Sequence, residues 1–177
     1  MSWKSLAFAA STAASLLLAN PAAAATWTVD REASTLGFEV AQGEGKVTGQ
    51  FQEWTADIDF DPNAPETAVI SARIKPMSAS TGNPQFDGTL PTPDWFDAGK
   101  FPDAEFKTDN VTSTGSNSYQ ANGTLTIKGI SHPVALTFTL DVNGDTATAS
   151  GSATVDRLDY KLGSAVGADT VGAPVTV

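Results

Sequence analysis

Cysteine is absent from the chain, and histidine occurs once, at His132. The first absence excludes disulfide staples, thiol nucleophiles and cysteine metal sites, so stability must come from a packed core and a backbone hydrogen-bond ladder. The second leaves a zinc site or a Ser-His-Asp triad without its partners. Basic residues are also scarce: ten Lys and Arg stand against twenty Asp and Glu, for a net charge of −10. Such a chain repels a polyanion, and nucleic acid is excluded as a partner. Helical periodicity is nearly missing. Beyond residue 25 no apolar run approaches the roughly 20 residues needed to cross a bilayer, and no cysteine offers a lipid anchor, so no stable membrane insertion is expected.

The one long apolar run stands at the start. Lys4 precedes Leu6 to Ala19, Asn20-Pro21 close the run, and Ala22 to Ala25 supply the small residues that a signal peptidase reads. Residues 1–25 are therefore expected to be a cleaved signal peptide, with Thr26 as the new N-terminus and the periplasm as the destination. The leader holds one basic residue and no acid, so the exported form is one charge more negative than the whole chain. Residues 26–177 have the length of a single domain with a sizeable core.

What the remaining chain does have is alternation of apolar and polar residues, the mark of strands with one buried face. Trp27 and Val29 share a face, as do Leu36, Phe38 and Val40, then Val47 and Phe51, Ile58 and Phe60, and Ile70, Ala72 and Ile74. Tyr119, Ala121, Gly123, Leu125 and Ile127 form a further inward row. After a turn at Gly129 to His132, so do Val134, Leu136, Phe138 and Leu140. Asn143-Gly144 predicts a type I′ hairpin returning through residues 145–156. The Ser/Thr/Gly/Asn cluster from Val111 to Ser118 reads as a hairpin loop. About eight strands with short turns must hide their edges, and an antiparallel barrel is the expected architecture, closed by a strand around Val171 to Val177.

Thr81 to Pro102 breaks the pattern. Thr92 as N-cap and Pro93 as first helical residue predict a short helix over Thr92 to Phe96. With Leu90, Trp95 and Phe96 this segment reads as a lid on the barrel mouth.

Most candidate chemistry dissolves on inspection. Asp57, Asp59 and Asp61 imitate a calcium loop, but Pro62 and Ala68 stand where glycine and glutamate are needed, and the spacing puts the three acids on the outer face of a strand. Asp141, Asn143 and Asp145 are explained by the turn. Twenty acids could supply a glycosidase-like pair, yet nothing selects one, and Arg157 with Asp159 reads as a structural or ligand-positioning ion pair. Catalysis and metal binding are not expected.

The informative feature is size. One face of the strand after the hairpin carries Ala147, Ala149, Gly151, Ala153 and Val155. If it faces Phe38, Phe60, Phe106, Leu125, Leu136 and Phe138 across the interior, the barrel is underfilled on that side. Either a ligand fills the space or large residues such as Trp54 and Trp95 do.

Several segments of the chain resemble the YceI-like family of periplasmic isoprenoid-binding proteins. They are Trp27-Thr28-Val29-Asp30, Gly49-Gln50-Phe51, Asp59-Phe60-Asp61-Pro62 and Pro93-Asp94-Trp95-Phe96-Asp97 running on to Lys100-Phe101-Pro102. Gly123 to Ile130 before Pro133-Val134, and Asp156-Arg157-Leu158-Asp159-Tyr160, complete the set. The resemblance implies a lipocalin-like antiparallel β-barrel with a polyisoprenoid or isoprenoid quinone in its interior, and no resident cofactor or enzyme activity. Its apolar tunnel would be lined by Phe38, Phe60, Leu90, Trp95, Phe96, Phe106, Leu125, Leu136, Phe138, Ala147, Ala149 and Gly151, with Arg157 as the polar ligand contact. Histidines of many members fall at Ala33 and Gln42 here, so a head-group or metal role for them has no counterpart. Membrane b-type cytochromes and a second copy of the chain are the protein partners the resemblance allows. A ligand-free β module binding protein or carbohydrate through its loops is the alternative reading.

Overall fold

A computed structural model describes residues 25–177; the predicted leader, apart from Ala25, lies outside the described residues. Eleven strands form one antiparallel sheet: β1 (Ala25–Trp27), β2 (Leu36–Gln42), β3 (Gly45–Phe51), β4 (Trp54–Phe60), β5 (Val69–Ile74), β6 (Ala79–Ser80), β7 (Ala104–Gly115), β8 (Ser118–Ile127), β9 (Ile130–Asn143), β10 (Thr146–Asp156) and β11 (Val171–Thr176). Their lateral order is β1-β4-β5-β7-β8-β9-β10-β11-β2-β3-β6. β3 and β4 thus lie near opposite ends of the sheet, yet only Gln52 and Glu53 separate them along the chain. The sheet must curl until its ends meet, which makes the expected barrel. Gln52 N donates to Ser78 O at 3.2 Å, and Lys75 N donates to Glu53 O at 2.9 Å, across the seam. The count exceeds eight because short strands were not visible as periodic runs; β1 and β6, at the sheet edges, have 3 and 2 residues.

The expected inward rows hold. On β8, Tyr119, Ala121, Gly123 and Ile127 are buried, with Leu125 half-buried among them. On β9 the half-buried and exposed residues alternate from Ile130 to Thr139. β11 pairs with both β10 and β2, as a closing strand should.

The turns differ from expectation in informative ways. Ile127 pairs with Ile130, so the loop is Lys128-Gly129, with φ of 53° and 75°. The type I′ geometry sits here, and His132 lies in β9 rather than in a turn. Asn143 pairs with Thr146, leaving Gly144-Asp145 as the loop with φ positive, at 61°, only at Gly144. That is the type II′ pattern, which needs glycine first and lets Asn143 remain in the strand. Val111 to Gly115 are strand, not loop: Gly115 pairs with Ser118, leaving only Ser116-Asn117 to turn. Thr112, Ser113 and Thr114 are exposed strand residues there, and the β-branched threonines suit a strand.

The single α-helix among the described residues, α1 (Pro84–Thr89), is not at Thr92–Phe96. Asn83 caps it, its Oδ1 accepting from Gln85 N at 3.0 Å, with Pro84 in the first turn. The same cap-then-proline signal occurs at Thr92-Pro93, but the Thr92 hydroxyl donates to Thr89 O at 2.7 Å instead of capping. Asp97, at φ 48°, then turns the backbone out of the helical region.

Two apolar clusters divide the interior. One joins Phe60, Ala68, Val111, Tyr119, Ala121 and Leu140, with Trp27, Ile58, Ile70 and Phe138 packed against it. The other joins Ile74, Ala104, Ile127, Val155, Tyr160 and Leu162.

Candidate ligand cavity

Within the second half of the barrel lies a cavity of about 580 Å³. Its walls come from inward rows of strands on both sides: Leu36, Phe38 and Val40 of β2, Ala72 and Ile74 of β5, Leu125 and Ile127 of β8, and Gly151, Ala153 and Val155 of β10. Val171 and Val175 of β11, with Val177 just beyond it, complete them. The lid segment contributes Phe86 and Leu90 together with Trp95 and Phe96.

Of the residues expected to line a tunnel, Phe38, Leu90, Trp95, Phe96, Phe106, Leu125, Leu136 and Gly151 do line the cavity. Phe60, Phe138, Ala147 and Ala149 do not. Phe60 is 2% exposed in the other cluster, against which Phe138 and Ala147 also pack, and Ala149 is exposed opposite Leu140. Alternation assigns these four to the correct face but says nothing about their level along the barrel, and all four lie beyond the cavity's inner end. Trp54 and Trp95, the alternative fillers, are wall residues.

Glycines make room for the aromatic walls. A Cβ on Gly123 would strike the Lys107 carbonyl oxygen and, at 2.8 Å, the Phe106 ring, and one on Gly163 would strike Trp95 at 2.7 Å. Gly163 also has φ 58°, and its amide donates to Asp94 O at 2.7 Å. At either position a side chain would have to displace the ring or the backbone beside it.

Arg157 also reaches the cavity but is 1% exposed, and its expected pair with Asp159 is not formed. Nε donates to Gly172 O at 3.0 Å, Nη1 to Leu162 O at 2.7 Å and Gly163 O at 2.8 Å, and Nη2 to Val166 O at 2.8 Å and Val171 O at 2.7 Å. All five donors are thereby spent on backbone, so the residue holds the 157–172 loop in place and has no donor left for a ligand. Burial pulls its pKa below the ordinary value, opposed by Asp156. Tyr160, 1% exposed, donates to Leu125 O at 3.3 Å. Burial, then the charge of Asp159, pushes its pKa up to about 12.

The lid is latched by a carboxylate. Asp87 on α1 accepts from Thr81 N at 2.6 Å, Thr81 Oγ1 at 2.7 Å and Ser80 Oγ at 3.0 Å. The Thr81 amide, then its hydroxyl, lower the Asp87 pKa.

Sequence reasoning missed Leu162 and Val166, which line the cavity from a loop, and Phe86, which lines it from α1. No periodicity marks these positions. It also missed the polar lining residues Gln42, Thr81, Gln85, Thr89 and Thr170. Elsewhere, Asp59 accepts from Thr26 Oγ1 at 2.6 Å and Asp61 from Asn63 N at 2.8 Å, which absorbs two of the three calcium-like acids into strand and turn structure. Among the described residues no group of three or more His, Cys, Asp or Glu gathers to hold a metal ion, and no helix is long and apolar enough to cross a membrane.

The family model described as "YceI-like domain" matches residues 27–177. The chain belongs to the YceI-like family. A UPF0312 protein of Pseudomonas savastanoi pv. phaseolicola is 29% identical over 156 residues, covering 83% of this chain and 81% of that protein. Among solved structures, Burkholderia cenocepacia BcnA superimposes with a TM-score of 0.79 at 28% identity, over 84% of this chain and 94% of BcnA. A polyisoprenoid binding domain from Saccharophagus degradans shares the fold, with a TM-score of 0.61 at 14% identity over 83% of this chain and 91% of that domain. The YceI-like barrel is thus the frame in which the cavity sits.

Proposed function

We propose that this YceI-like protein binds an isoprenoid lipid or isoprenoid quinone in its barrel and carries it in the periplasm without chemical change. The observation that carries the reading is the 580 Å³ cavity, walled by aliphatic and aromatic side chains from most of the barrel. Close-packed interiors do not leave such space unfilled without a use for it. The solved Saccharophagus degradans relative, described as polyisoprenoid binding, supports the class of ligand, and the leader-like residues 1–25 support export.

Affinity comes from the tail. At about 0.8 kcal/mol per buried methylene, about fifteen of them contribute on the order of 12 kcal/mol before association costs. With Arg157 occupied by backbone, Gln42 and Gln85 and the lining threonines Thr81, Thr89 and Thr170 are the polar residues at hand for a quinone carbonyl or a hydroxyl head. Opening of the lid admits the ligand, and the Asp87 latch holds the lid closed.

The test is native mass spectrometry with organic extraction of protein purified from its own host. A co-purifying isoprenoid is expected. Protein that emerges empty, and that takes up no isoprenoid when one is supplied, would contradict the proposal and favour recognition of protein or carbohydrate by the loops.

A further inference from the structure

We propose that Phe60, Tyr119 and Phe138 form a length stop that limits the enclosed part of the ligand tail; the inference rests on the isoprenoid reading above and adds which tail the barrel takes. The three rings touch one another: Phe60 lies edge-on to Tyr119 at 5.0 Å and to Phe138 at 6.0 Å between centroids, and Tyr119 stacks on Phe138 at 5.3 Å. Phe60 and Tyr119 are 2% and 6% exposed, so these two rings are shut off from solvent.

The cavity ends where this group begins. Ala72, Phe106 and Leu125 are paired across three neighbouring strands and all line the cavity. One inward step further on β5 is Ile70, packed in the plugged cluster. On β9, Leu136 lines the cavity, and the next inward residue, Phe138, belongs to the ring group and pairs with the lining residue Gly151. Phe138 is also only half-buried, unlike its two ring partners. Leu136, which both lines the cavity and packs against the ring group, is the residue a tail meets first, with Phe138 directly behind it.

Volume sets the length. At about 580 Å³ the cavity falls within the roughly 300–1,000 Å³ that encloses a drug-sized ligand, the size class of a tail of about four isoprene units. A longer tail leaves its remainder outside the barrel, where it adds no buried surface.

The experiment is a binding ladder of geraniol, farnesol, geranylgeraniol and the much longer solanesol, delivered from cyclodextrin to the exported form. Affinity is expected to rise up to geranylgeraniol and to gain nothing at solanesol. Phe138→Ala should open the stop and improve solanesol by about tenfold, the effect of one or two further buried methylenes. Leu136→Phe should move the plateau back to farnesol. If Phe138→Ala does not fold, Phe138→Leu and Leu136→Phe carry the same comparison. Wild-type affinity that climbs through to solanesol, or plateaus that do not move in folded variants, would overturn the stop while leaving isoprenoid binding intact. A wild-type protein that binds no member of the series would overturn the isoprenoid reading and the stop with it.

Discussion

The two halves of the barrel are built from the same strands and the same kinds of side chain, yet one is solid and the other hollow. In the solid half Phe60, Tyr119 and Phe138 meet ring to ring over Ala121 and Val111, both of which are 0% exposed. In the hollow half Phe38, Phe106 and Trp95 lie against Gly49, Gly123 and Gly163 respectively, and the centre is open. Aromatic content therefore does not decide whether a barrel is filled. What differs is where the rings meet: Tyr119 and Phe138 are paired neighbours on β8 and β9 with Phe60 of β4 edge-on to both, whereas Phe38, Phe51 and Phe96 meet in the wall around open space.

The hollow half has no centre to hold its loops, and Arg157 takes over that task. Replacing it with Met removes five charge-assisted bonds to the 157–172 loop. The expected loss is about 4 kcal/mol or more, measurable by urea unfolding; a loss below about 1 kcal/mol would show that the loop stands without it. Lys cannot rescue it, having three donors where five are used.

The same substitution should then separate the halves. Phe60→Ala is expected to cost about 3–5 kcal/mol, as for a buried core phenylalanine. Phe38→Ala removes a half-buried ring beside space that is already open, and should cost below about 2 kcal/mol. Equal losses in thermal or chemical unfolding would mean that the two regions are packed alike.

Tyr160 sharpens the contrast through pH. Its pKa is raised to about 12 from an ordinary 10.0, so the native state favours the neutral phenol. The stability this gives is fully present below pH 10 and is lost as pH rises toward about 12. Tyr160→Phe should flatten that part of the stability profile, and an unchanged alkaline slope would remove Tyr160 from the account. The smallest effect is expected at the lid. Asp87→Ala should leave global unfolding nearly unchanged while speeding hydrogen exchange of the α1 amides, since α1 is held by the latch to Thr81 and Ser80. Loss of protection across the sheet would instead make Asp87 a general stabiliser.

Which side chains face inward could be read from the sequence, because a strand's period of two is strict; Tyr119 to Ile127 and Val134 to Leu140 needed no structure. How far along the barrel each residue sits could not be read. Ala147 and Ala149 share a face with Ala153, but depth depends on register across several strands, and only Ala153 reaches the cavity. The lid failed for a related reason. Asn83-Pro84 and Thr92-Pro93 carry the same helix-start signal, and the choice between them was made by bonds to distant backbone and by the positive φ of Asp97. Arg157 was legible as important but not in its role, since its acceptors are carbonyls, which every residue has.

The division into a solid and a hollow half is tested most directly by placing one tryptophan in each: Ala153→Trp, in the cavity wall, and Ala147→Trp, against the plugged cluster. Apo stability and farnesol binding are measured for both. Ala153→Trp should keep a near wild-type melting temperature and lose binding. Ala147→Trp should lose about 1–3 kcal/mol of stability through overpacking and still bind. An Ala153→Trp protein that is strongly destabilised yet retains farnesol with unchanged affinity would contradict the account.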